Sequence, residues 1–177
     1  MACAGFESGR DLSERTAVGV GQLIEDAVAR SRIEEVGCTL ERSVRPELLM
    51  VRVNAPALTQ AIENLLTNAA KYGGADRWAR VAAERSPDGR ELGVIVSDHG
   101  RGVRPGEQRR IFEPFYRSRD VVGTTIRGSG LGLSLAKRIV EAHGGAFSAR
   151  SATGQESAFT LHLPLEAQPD VDVAASR

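Results

Sequence analysis

Apolar positions recur at helical or alternating spacing along the chain, and these runs with the breaks between them divide it into helices, strands and loops. Val20, Leu23, Ile24, Ala27 and Val28 fall at helical spacing and predict a first helix ending near Gly37. Thr39–Val44 and Leu48–Val53 read as two short strands separated by the turn signal Arg45-Pro46-Glu47. Asn54 is a good N-cap, and Pro56 sits in a first turn that tolerates it. A second helix, about Ala55 to Tyr72, follows, with Leu58, Ile62, Leu65, Leu66 and Ala69 on its apolar face. Trp78–Arg85 and Glu91–Asp98 form a hairpin around Pro87-Asp88-Gly89, and Pro105–Ile111 reads as a short helix. Leu131, Leu135, Ile139 and Ala142 outline a third helix stopped by Gly144-Gly145. Ala146–Ser151 and Ser157–Leu165 make a last hairpin around Thr153-Gly154. Residues 1–16 lack periodicity and read as a flexible arm or linker, 17–166 as one folded domain, and 167–177 as a disordered tail.

Composition narrows this picture only slightly. The 177 residues suffice for one domain with a sizeable core, and 26% are charged with a net charge of zero. No bulk field therefore points to nucleic acid or to an acidic membrane surface. Cys3 and Cys38 have neither metal-site nor disulfide-framework spacing, which fits a reducing cytoplasm. No signal-peptide pattern opens the sequence, and no apolar run approaches the ~18 residues of a membrane span. A cytoplasmic protein without direct membrane contact is expected, whose parent or partner protein is membrane-anchored in some arrangements.

Candidate chemistry gathers at four stretches. Gln60, Asn64, Asn68 and Lys71 line one side of the second helix. A solvent-facing stripe is the usual fate of such residues, but Glu, Lys and Arg serve that purpose better than Asn. Two Asn one turn apart instead present amide oxygens in register for a hard divalent cation. Asp98 ends a strand and precedes Gly100, Gly102 and Val103. An ionised carboxylate only accepts hydrogen bonds, which suits an amine-bearing flat base, and capping of the following turn is the structural alternative. Phe112, Phe115 and Tyr116 form a cluster suited to the core or to a latch. Gly128, Gly130 and Gly132 open the third helix, so that backbone N–H groups of the glycine-rich entry and the first turn can meet a phosphate at a helix N-terminus. A plain loop leading into a core helix has the same composition. Residues 118–127 are polar and breaker-rich, as befits a mobile lid or an ordinary surface loop.

Taken in this order and spacing, the four stretches resemble the catalytic ATP-binding domain of sensor histidine kinases, within the gyrase/Hsp90/histidine kinase/MutL ATPase superfamily. Asn64–Tyr72 is similar to that family's N box, Asp98–Gly102 to its first glycine box, Ile111–Tyr116 to its F box and Gly128–Gly145 to its second glycine box. The resemblance extends over residues 17 to 165. It implies a two-layer α/β (α+β) sandwich: a mixed, mainly antiparallel sheet with helices on one face, and an ATP lid between the F box and the second glycine box. The implied cofactors are ATP and Mg2+. Asn64, with Asn68 beside it, would hold the metal, and Asn64 and Lys71 would serve the catalytic step. Lys71 and Tyr72 would touch phosphate and the nucleotide rim. Asp98 would accept from the adenine 6-amino group, with Gly100, Gly102 and Val103 making room for the base. Gly128, Gly130, Leu131, Gly132 and Leu133 would cradle the phosphates under a lid of residues 118–127.

Two departures from the family pattern matter. His99 stands where the family most often has Asn. More seriously, none of His99, His143 and His162 lies in the His-Glu/Asp-x-x-Arg-x-Pro setting of a phosphoacceptor. His143 and His162 read as structural. The expected function is donation of the γ-phosphoryl group to a histidine on a dimerisation domain, upstream in a longer parent protein or on a separate chain, with a response regulator downstream. An anti-sigma-factor type serine kinase shares the nucleotide site, but the F box argues against it. A gyrase- or MutL-type ATPase switch has a general-base Glu at the position of Asn64. Here Glu63 is one residue off, about 100° round the helix, so hydrolysis is expected to be poor. A degenerate scaffold without nucleotide would not need the intact Asn64, Asp98 and glycines. A monomer is expected, since the missing helices supply dimerisation.

Overall fold

The computed structural model describes residues 14–44, 50–118, 128–152 and 155–165. The turn at 45–47, most of the expected lid, the arm up to residue 13 and the C-terminal tail lie outside the described residues. The elements run β1 Thr16–Gly19, α1 Val20–Ser31, β2 Thr39–Val44, β3 Met50–Val53, α2 Ala55–Tyr72, β4 Trp78–Arg85, β5 Glu91–Asp98, α3 Gly132–Ala142, β6 Ala146–Arg150 and β7 Ser157–Pro164. Two short 3-10 turns, Pro105–Glu107 and Arg110–Phe112, precede α3.

Five strands make one mixed sheet in the order β2-β4-β5-β7-β6. Only β2 and β4 run parallel; the other neighbours are antiparallel, as the sequence reading implied. Inward positions line up across β4, β5 and β7 as Val81–Val96–Phe159 and Ala83–Val94–Leu161, with Leu92 opposite Leu163. All of these are buried, and three helices cover them. The apolar face of α2 is buried as its spacing predicts, at Leu58, Ile62, Leu65, Leu66 and Ala69. Asn54 Oδ1 caps this helix by accepting from Ala57 N–H at 3.0 Å. No helix among the described residues is long and apolar enough to cross a membrane.

Four sequence expectations shift. The first helix stops at Ser31 rather than near Gly37, because Arg32 turns into the left-handed region (φ 53) and sends Ile33 into the core at 0% exposure. Residue 16, expected at the end of the arm, and residues 17–19, given no element from sequence, form β1, which pairs antiparallel with β3 in a separate two-stranded ribbon. The short helix expected over Pro105–Ile111 is instead the two 3-10 turns, with Glu107, the last residue of the first, buried. In α3 the buried face is Ser134, Ala136, Ile139 and Val140; Ala142 is exposed, and Leu131 and Leu135 are half-buried.

Histidine 143 ties the helix layer together. It is 2% exposed; its Nδ1 faces Ile139 O at 2.7 Å, and its Nε2 accepts from Asn54 N–H at 2.9 Å. The start of α2 is thus fastened to the end of α3. His162 bonds Ser148 Oγ at 2.8 Å across β6 and β7. His99 pairs with Asp76 at 2.7 Å and stacks on Trp78 with centroids 4.1 Å apart.

Candidate functional site

A cavity of about 380 Å³ lies where the sheet face meets the helix layer. Asp98, Ser157 and Phe159 line it from the sheet, and Asn64, Thr67, Asn68, Lys71 and Tyr72 line it from α2. Residues 128–133 and Leu135 contribute from the entry and first turn of α3. Arg101, Gly102, Val103 and Ile111 close one side, with Tyr116, Arg117 and Ser118 beside them. Every site residue nominated from sequence is here except Gly100. Of the polar stripe on α2, Gln60 alone does not reach the cavity.

Gly100 acts one step back from the cavity. A Cβ there would run into the Tyr72 carbonyl oxygen and the Asp98 carboxylate, so the missing side chain lets the end of α2 pack on the turn after β5. Asp98 ends β5 on the inward face, opposite Ser157 of β7. Its Oδ1 accepts from Gly100 N–H at 2.8 Å, which secures the turn, and no donor to its second oxygen lies among the described residues. Burial pushes its carboxyl up to about 6, the Gly100 hydrogen bond opposing this only in part. Asp98 thus caps the turn through one oxygen and also lines the cavity.

The glycine-rich entry is held against the aromatic segment. Gly130 has φ 73, and a Cβ there would lie 2.7 Å from both Phe115 C and Tyr116 O. Phe115 N–H donates to Gly130 O at 3.0 Å. The aromatic cluster is neither a single core nor a single latch. Phe112 packs edge-on against Phe147 at 5.1 Å, Tyr116 donates its hydroxyl to Glu107 Oε1 at 2.8 Å, and Phe115 is 73% exposed. Ser118 Oγ donates to Glu107 Oε2 at 2.6 Å, so the buried Glu107 gathers the segment that leads toward residue 119.

Across the cavity, the start of α3 faces the two asparagines. The Cβ position of Gly132 lies 3.7 Å from Asn68 Nδ2 and 3.8 Å from Asn64 Cβ. Asn64 Nδ2 is buried without a hydrogen-bond partner among the described residues, so the amide carries an unmet polar demand at the cavity wall. No cluster of three or more His, Cys, Asp or Glu suited to a metal exists among the described residues. A cation here would draw on amide oxygens, water and the phosphates of a bound nucleotide, a set that suits Mg2+. Lys71, Arg101 and Arg117 line the cavity, with Asp98 as its one carboxylate among the described residues. Sequence reasoning did not nominate Thr67, Arg101, Ile111, Tyr116, Arg117, Ser118, Ser129, Leu135, Ser157 and Phe159 as site residues. Thr67 and Leu135 were within reach, as each lies next to a nominated residue by helical spacing; Ser157 and Phe159 come from a distant strand.

A two-layer sandwich with an acceptor at the sheet end and a glycine-rich helix start across from it defines a nucleotide-binding domain of the ATPase and kinase class. The sequence pattern of the histidine kinase-, DNA gyrase B- and HSP90-like ATPases matches residues 53–167, and the chain belongs to that family, as an ATP-binding catalytic domain of the sensor histidine kinase kind. It is 33% identical over 154 residues to the sensor-like histidine kinase SenX3 of Mycobacterium tuberculosis, covering 86% of this chain and 37% of SenX3. The mycobacterial sensor histidine kinase MprB superposes with a TM-score of 0.74 at 28% identity, covering 84% of this chain and 97% of that structure. Full-length ShkA, solved in complex with AMPPNP, gives a TM-score of 0.72 at 27% identity, covering 90% of this chain and 33% of ShkA. The chain thus spans little more than a third of its curated relative SenX3.

Proposed function

We propose that this chain binds Mg-ATP in the cavity and donates the γ-phosphoryl group to a histidine imidazole on a helical dimerisation domain, from which a response regulator then receives it. The acceptor domain lies upstream in a longer parent protein or on a separate chain. The observation that carries the reading is the make-up of the cavity: a buried acceptor, Asp98, at the sheet end shares one lining with Lys71, the paired amides Asn64 and Asn68 and the N-terminus of α3.

In this reading Asp98 accepts from the adenine 6-amino group, while Gly102 and Val103 flank the base. Asn64 and Asn68 would hold Mg2+ through their amide oxygens, leaving the unpartnered Asn64 Nδ2 as a donor for a phosphate oxygen. A bound Mg2+ supplies charge neutralisation along the polyphosphate. Lys71 adds a point charge, Tyr72 borders the nucleotide, and N–H groups from Gly128 to Leu133 cradle the phosphates. The work of the chain is positioning and electrostatic stabilisation, with the terminal phosphoryl held in line for an incoming imidazole.

The chain's own histidines are poor acceptors. His143 is buried with both ring nitrogens engaged, His162 is bonded within the sheet, and His99 is stacked and paired beyond the cavity. The deciding experiment incubates the full chain with γ-labelled ATP, with and without dimerisation-domain fragments from candidate partners. An acid-labile, base-stable label on the fragment supports the proposal. An acid-stable label on a partner's serine overturns it.

A further inference from the structure

A pair of buried serines sits behind the base-binding end of the cavity. Ser157 is directly opposite Asp98 on the neighbouring strand, so their Cβ atoms are roughly 4.5–5.5 Å apart on one face of the sheet. Both residues line the cavity, whereas Ser151, just beyond β6, does not. Ser151 Oγ accepts from Val103 N–H at 3.0 Å and lies 2.7 Å from Ser157 Oγ. Gln108 Nε2 donates to Ser151 O at 2.9 Å and holds the backbone there. Ser151 is 7% exposed and Ser157 3%.

The serine pair has two possible proton arrangements. Were Ser157 the donor, the Ser151 proton would turn to the outer pocket that Ser151 lines with Gln108, Gln155 and Glu156, and the base site would meet only the Ser157 oxygen. With Ser151 as donor, its hydroxyl is fully used: it accepts from Val103 and gives to Ser157. The Ser157 proton is then left to turn into the cavity.

We propose that Ser151 is a positioning residue for base recognition: by donating to Ser157 Oγ it aims the Ser157 hydroxyl proton into the cavity, setting a donor beside the Asp98 acceptor. The inference rests on reading the cavity as an ATP site. A base edge that carries an amine next to an unprotonated ring nitrogen, as adenine's does, matches an acceptor next to a donor. A guanine edge, with a carbonyl next to a ring N–H, meets the same pair reversed. The contact with Val103 fixes the adjoining wall at the same time.

The test titrates ATP, 1-deaza-ATP (CH in place of N1) and purine riboside triphosphate (no 6-amino group) into the full chain and into Ser151→Ala, Ser151→Thr and Ser151→Cys. The unsubstituted chain is expected to prefer ATP over 1-deaza-ATP by about five- to tenfold, the usual worth of one neutral hydrogen bond. Ser151→Ala loses that preference while still favouring ATP over purine riboside triphosphate, and Ser151→Thr restores it. If Ser151→Ala does not fold, Ser151→Cys serves, its weak donor giving a reduced preference. An undiminished N1 preference in Ser151→Ala or Ser151→Cys overturns the proposal. So does an equal loss for all three nucleotides, which marks a purely structural role. An unsubstituted chain that binds ATP without discriminating 1-deaza-ATP also overturns it but leaves the ATP reading intact. Absence of ATP binding by the unsubstituted chain defeats that reading itself.

Discussion

Asp98 sets binding against stability in a single side chain. Burial raises its carboxyl from the ordinary 3.8 to about 6 in the folded protein. Such a group contributes stability that is fully present below the unfolded value and is lost as pH rises through the folded one. The ligand-free protein is therefore expected to lose up to about 3 kcal/mol from this group between about pH 4 and pH 7. Asp98→Asn keeps an oxygen for Gly100 N–H and removes the titration. It should melt higher than the unsubstituted chain above about pH 6, match it near pH 4, and fail to bind ATP. Thermal melts across that range, with and without ATP, check both parts, and identical melts at every pH refute the first. Gly130→Ala carries the opposite signature. Left-handed backbone costs a non-glycine residue roughly 1–2 kcal/mol, and the clash with Phe115 and Tyr116 adds to it. Weakened ATP binding by titration calorimetry, together with a lowered melting temperature, is the expected result.

Between elements, the decisive joint is the one from Asn54 through His143 to Ile139. It couples the N-cap of α2 to the last turn of α3, the two helices whose facing walls form the cavity. His143→Ala leaves Asn54 N–H without its partner and is expected to cost about 1–3 kcal/mol. Asn54→Ala removes the cap and costs about 1 kcal/mol. Because both act in one network, the double variant should lose less than the sum, which denaturant unfolding of the three proteins will show. The sequence predicted α2 closely because its apolar face, cap and proline all agree. It misjudged the end of α1, because a left-handed Arg32 leaves no compositional signal. It overlooked β1, because four residues acquire strand character only through pairing with β3, which lies more than 30 positions along the chain.

At the level of the whole molecule, Asp98 is the one carboxylate lining the cavity among the described residues, and the proposed function gives it to the base rather than to a hydrolytic water. Glu63 is half-buried on α2 and does not line the cavity. Glu63→Ala is therefore expected to leave a slow ATP turnover unchanged in a phosphate-release assay, and a brisk turnover abolished by that substitution would contradict the kinase reading. The proposal that the acceptor histidine sits on another domain has a parallel consequence. Incubated alone with labelled ATP, the chain should acquire no acid-labile label.

By itself the sequence determined the local order of the protein. The amphipathic helices, the alternating strands, the Asn64–Asn68 spacing, the Asp98 strand end and the glycine-rich opening of α3 are all written in periodicities a few residues long. The family resemblance was equally legible, because it resides in the order of such motifs. Only the tertiary structure decided which side chains share a wall. The placing of Ser157 opposite Asp98, the seating of Gly100 under the Tyr72 carbonyl and the setting of Ser151 behind both depend on strand register and on close approach of distant backbones. Register is set by the burial of whole sheet faces, a collective quantity that no short window of sequence contains.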